Sequence, residues 1–90
     1  MATLELGRLI ATRGALAALA EAEQGYLEFL ARHVNGDWGE VCPEDRESNE
    51  AAVREGTRLL SAYTLNTGVK IWIITEWDRS ATTILLPDEY

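Results

Sequence analysis

The sequence predicts an α+β fold: an N-terminal helical hairpin and a third, acidic helix packed on a three- to four-stranded antiparallel sheet. Three observations carry this. Up to residue 55 the apolar side chains recur mainly at three- and four-residue spacing, the period of a helix face. After Gly56 they alternate or form short β-branched blocks, the habit of strands. Gly25, Gly36, Pro43, Gly56, Gly68 and Pro87 fall between those segments and punctuate them.

The elements follow in order. Residues 6–11 read as a short strand, weakened by Gly7, and Thr12 is placed to cap a helix. Residues 13–24 form that helix, with Ala15, Leu16, Leu19 and Ala22 on one side and Gly25 as its left-handed stop. A second helix spans residues 26–34. Its expected stripe is Leu27, Leu30, Ala31 and Val34, Glu28 and Arg32 are spaced to pair outside, and His33 is a cation favoured by the helix C-terminus. Asn35-Gly36 ends it. Pro43, Glu44 and Asp45 open a third helix, which runs to Glu55 with a thin inner face of Asn49, Ala52 and Val53 beside Ala51. Three meandering strands complete the chain at residues 58–64, 70–76 and 81–86, joined by turns at 66–68 and 77–80. In the middle strand Ile71 and Ile73 face one way, Trp72 and Ile74 the other, so both sheet faces carry apolar groups and one of them could receive a second chain.

Ninety residues make one domain, residues 1–90, and the 47% apolar content is that of a folded chain. No apolar run approaches the roughly 18 residues that span a membrane. The first residues lack the basic, then apolar, pattern of a signal peptide, and the single Cys42 has no internal disulfide partner, so a reducing cytoplasmic setting is expected. The net charge is −7, and seven carboxylates between Asp37 and Glu55 against Arg46 and Arg54 hold −5 of it. Such a field repels phosphate backbones and argues against direct nucleic-acid binding. It favours a protein partner with a basic surface.

The segments Gly36-Asp37-Trp38-Gly39, Ser61-Ala62-Tyr63, Lys70-Ile71-Trp72-Ile73-Ile74-Thr75-Glu76 and Asp78-Arg79-Ser80-Ala81-Thr82-Thr83-Ile84-Leu85-Leu86-Pro87 resemble those of a group of short bacterial proteins carried on plasmids, prophages and integrated mobile elements. The resemblance covers nearly the whole chain. It implies a bacterial, mobile-element setting and supplies no catalytic residues.

Three functions are compatible with this reading. In the first, Glu40, Glu44, Asp45, Glu47, Glu50 and Glu55 bind a partner, their carboxylates standing in for DNA phosphates to inhibit a nucleic-acid-binding defence protein of the restriction or CRISPR kind. The bland counterpart is a solubilising helix face, partly neutralised by Arg46–Glu50 and Glu50–Arg54 spacings. In the second, His33, Arg79 and Thr82, with Tyr63, Glu76, Ser80 and Thr83 near them in the pattern, serve as a small ribonuclease of the barnase or colicin type. Its counterpart is a helix-end histidine and ordinary turn chemistry. In the third, the chain is a non-catalytic homo-oligomer. No cofactor or metal motif is present: Cys42 reads as packing at a helix start, Trp38 as a core anchor, and Trp77 as a partly exposed turn residue. The stretch from Asn35 to Asp45 reads as a hinge that aims the acidic helix.

Overall fold

A computed structural model describes residues 5–90. Strand β1 (Arg8–Ala11) leads into helices α1 (Arg13–Ala22), α2 (Tyr26–Val34) and α3 (Pro43–Glu55), followed by strands β2 (Leu59–Thr64), β3 (Lys70–Thr75) and β4 (Ala81–Leu85) and a 3-10 turn at Pro87–Glu89. The sheet order is β1-β4-β3-β2. The meander β2–β3–β4 is antiparallel as expected, but β1 lies parallel to β4, so the sheet is mixed and not antiparallel throughout. Topology is the reason. The chain leaves β1 at one edge and re-enters the sheet at the other, after its helices have crossed one face.

That crossing builds the core. Leu59, Ser61, Tyr63, Ile71, Ile73, Thr75, Thr82 and Ile84 share the helix-covered face by strand alternation and register. Ile71, Ile73, Ile84 and Tyr63 meet Ala15, Leu19 and Ala22 of α1 and Phe29 and Leu30 of α2 in one buried cluster. A second, smaller cluster joins Trp38, Ala52 and Leu59, with Val41 packed against it. α1 packs on β4 and α3 on β2.

Helix ends depart from expectation in detail. α1 stops at Glu23, itself left-handed at φ 55°, and Gly25 is instead the extended N-cap of α2. Thr12 does cap α1, its hydroxyl accepting the Ala15 N–H at 3.0 Å. α2 is rotated from its expected stripe. Phe29, Leu30 and His33 are buried, whereas Leu27 is 68% exposed. Leu27 and Ala31 fit a helical period, but so do Phe29 and His33, and the core took the face with the aromatic ring. On α3 Val53 is 55% exposed, leaving Asn49 and Ala52 as the buried pair.

Both edges of the sheet are explicit. At β2, the backbone of Leu60 is held by the Asn49 side chain: Nδ2 donates to Leu60 O at 2.7 Å and Oδ1 accepts from Leu60 N at 3.0 Å. Two residues on, Ala62 N donates to Trp38 O and Glu40 N donates to Ala62 O, at 3.0 and 2.7 Å. The stretch foreseen as a hinge thus closes this edge as a one-bridge extra strand. β1, at the far edge, has no such cover among the described residues.

Candidate functional site

His33 is fully buried, and its ring is the first link of a polar chain running through the core. Nδ1 lies 2.5 Å from Ser61 Oγ and Nε2 lies 2.9 Å from Thr75 Oγ1. Thr75 Oγ1 is 2.8 Å from Thr82 Oγ1, whose hydroxyl donates to Leu6 O at 2.8 Å. A carbonyl only accepts, and this fixes every direction behind it. Thr82 gives its proton to Leu6, Thr75 gives its own to Thr82, His33 donates from Nε2 to Thr75, and in the neutral ring Nδ1 accepts from Ser61. The imidazole is neutral with its proton on Nε2. Burial pushes its pKa down to about 4, with the charge of Arg79 acting in the same direction. The expectation of a cation at a helix end is corrected: α2 turns His33 inward, where Trp38 meets it edge-on at 5.7 Å between centroids.

The ribonuclease constellation is divided by the fold. His33 and Thr82 share the buried chain, and both have 0% of their surface exposed. Arg79 is spent on backbone carbonyls: Nη1 donates to Thr57 O and Glu76 O at 2.7 and 3.0 Å, and Nη2 to Ala52 O at 2.9 Å. It ties the β3–β4 turn to the C-terminal turn of α3, where a cation suits the helix dipole. Ser80 N donates to Asp78 Oδ1 at 3.0 Å, a turn contact. Glu76 and Thr83 lie by alternation on the opposite sheet face. There they line a cleft of about 290 Å³ with Arg58, Ile74, Leu85, Glu89 and Tyr90.

The acidic set is displayed differently. Glu40, Glu44, Glu47, Glu50 and Glu55 are exposed, while Asp45 is half-buried and accepts from the Cys42 thiol at 3.2 Å. Cys42 is exposed at the N-cap of α3, not packed inside. Its thiol pKa is raised: the backbone hydrogen bond at Asp45 lowers it, but contacts with the Asp45 and Glu44 carboxyl groups outweigh that. The Arg46–Glu50 and Glu50–Arg54 spacings do not close into ion pairs, nor does Glu28–Arg32. The one ion pair among the described residues joins Arg32 Nε to Asp37 Oδ2 at 2.7 Å.

That pair belongs to a brace the sequence did not reveal. The Arg32 guanidinium lies 4.6 Å from the Tyr63 ring centroid, and Tyr63 donates its hydroxyl to Asp37 O at 2.6 Å. The hydrogen bond from Arg32 holds the Asp37 carboxyl below its usual range, and burial lifts the Tyr63 phenol to about 12. Only the wide sequence separation of Asp37 and Tyr63 hid it. Among the described residues no group of three or more His, Cys, Asp or Glu side chains is arranged to hold a metal, and no helix is long and apolar enough to cross a membrane. Comparison with protein families, curated proteins and solved structures finds no match to the chain.

Proposed function

We propose that the chain is a non-catalytic binding module that presents α3 to a protein with a basic surface. One observation carries this reading: only Asn49 and Ala52 of α3 are buried, and its exposed surface holds Glu44, Glu47, Glu50 and Glu55 without an ion pair. Steps of three residues rise about 4.5 Å along a helix, comparable with the ~3.4 Å axial step between phosphates on one DNA strand. Glu44, Glu47 and Glu50 are so spaced, and Glu40 extends the negative charge from the adjoining loop. The partner class is accordingly a nucleic-acid-binding protein, and an inhibitor of a restriction or CRISPR effector in the cytoplasm of a bacterium carrying a mobile element is the specific form of the proposal. The sealed state of His33 and Thr82 favours this over the ribonuclease reading.

The test is capture of a partner from a bacterial lysate by the parent chain and by the Glu44→Lys, Glu47→Lys, Glu50→Lys variant. Capture should be lost in the folded variant, and nucleic acid should compete with the parent chain for the captured protein. Undiminished capture by the variant at low salt overturns the reading.

A further inference from the structure

The two edges of the sheet are built to opposite specifications. At β2 the outward groups of Leu60 and Ala62 are bonded to Asn49, Trp38 and Glu40, so no strand can add there. At β1, Arg8 N donates to Ser80 O at 2.9 Å and Thr12 N to Ile84 O at 3.0 Å. With the parallel register Leu9↔Thr82 and Ala11↔Ile84, the even-numbered residues face β4. The N–H and C=O groups of Leu9 and Ala11 therefore point away from the sheet, and among the described residues nothing pairs with them. Leu9 and Ile10 are 43% and 41% exposed, one on each face of the strand. The strand carries no proline or lysine, the residues that commonly block an edge.

We infer that β1 pairs antiparallel with β1 of a second copy of this chain, about a two-fold axis at Ile10, to make an eight-stranded sheet. Leu9 then lies opposite Ala11 of the second copy, so the four outward groups of each strand are all satisfied. Ile10 meets its own counterpart as the close, non-hydrogen-bonded pair. Apolar side chains face each other on both sides of the strand, as an isologous contact requires.

Charge selects a second copy and selects this edge for it. Two chains of −7 repel, and the acidic α3 packs on β2 at the far edge. Charged side chains near β1 include Glu5, Arg8, Arg13 and Glu89, which accepts from Thr12 at 2.6 Å, a set without net charge. The two-fold axis sets Arg8 of each copy opposite Thr12, the residue that holds Glu89, of the other. Joining at β1 places the two β2 strands seven strand steps apart, about 34 Å at ~4.8 Å per step, several times the ~8 Å Debye length of physiological salt. Contact through α3 would bring the two acidic surfaces together. This assembly does not depend on what α3 binds.

Sedimentation equilibrium on the purified chain from low to high micromolar concentration should show a monomer–dimer equilibrium. Leu9→Pro removes only an outward N–H, at the kind of edge position where proline is tolerated, and should give a folded monomer at every concentration. Ile10→Asp, which sets two carboxylates face to face across the axis without touching the β1–β4 hydrogen bonds, should do the same and covers any folding defect in the first variant. A spin label on the exposed Cys42, next to α3, should report a separation beyond about 34 Å in the dimer. A strictly monomeric parent chain overturns the inference. So do dimers that persist in both variants, or label separations well below that distance.

Discussion

His33 shows how much a single side chain can organise. Its neutral ring accepts from Ser61 and donates to Thr75, so removing it strands two buried hydroxyl groups at once. His33→Ala should destabilise the fold by about 3 kcal/mol, read by urea unfolding at neutral pH. The same ring sets an acid dependence. Its folded pKa of about 4 lies below the ordinary histidine value of 6.5, so the unfolded chain takes up the proton first as pH falls. The contribution is complete above pH 6.5, declines between 6.5 and about 4, and levels off below that, amounting to about 3 kcal/mol. Carboxylates such as Asp37 add their own losses at lower pH. The parent should therefore lose stability between those pH values more steeply than His33→Gln, and equal slopes would assign the loss elsewhere. Gly39 is the other decisive residue. At φ +75° a Cβ would lie 2.0 Å from Ala62 O, so Gly39→Ala must detach the loop from β2, with a Tm lowered by roughly 10 °C or more. Gly36, also left-handed but with only a contact at 3.9 Å, should tolerate alanine better.

At the scale of elements, α3 is held by polar contacts as well as by the packing of Ala52 on Trp38 and Leu59. Asn49 makes both of its bonds to Leu60, and Arg79 grips Ala52 O from the β3–β4 turn. Asn49→Leu nearly preserves side-chain volume but strands a buried N–H and C=O, a cost of about 2–4 kcal/mol. Hydrogen exchange should show it first at the Leu60 amide, and the uncovered edge should raise aggregation on storage. An unchanged exchange rate at Leu60 would mean that the Asn49 side chain is not what protects that amide. Sequence patterning located α1, α3 and the three-strand meander because those segments repeat one period and end at recognisable caps. It misplaced the inward face of α2, where two apolar stripes overlap: Leu27 and Ala31 compete with Phe29 and His33. Periodicity ranks them equally, and only the packing of Phe29 against Tyr63 in the buried cluster separates them.

For the whole molecule, the charge is the property with the widest consequences. Most of the −7 lies between Asp37 and Glu55, and the fold concentrates it at the β2 edge while β1 stays nearly neutral. Salt should consequently act in opposite directions on the two proposed contacts. Raising it screens repulsion between copies and tightens self-association, whereas it weakens attachment of α3 to a basic partner. Sedimentation and partner retention measured over one salt series separate the two, and a common direction would show that they share a surface.

By itself the sequence determined the α+β class, the order of helices and meander, the helix starts at Thr12 and Pro43, and the concentration of acid in the third helix. These are local properties: period, cap chemistry and composition are read within a few residues. Tertiary structure decided that β1 joins β4 in parallel, that His33 faces Thr75 across 42 residues, that Arg32 leaves Glu28 for Asp37, and that Trp38–Glu40 closes an edge. Each of these depends on which segments meet after the helices have crossed the sheet. A hydrogen bond to a distant strand leaves no periodic trace, because one donor and one acceptor suffice to make it.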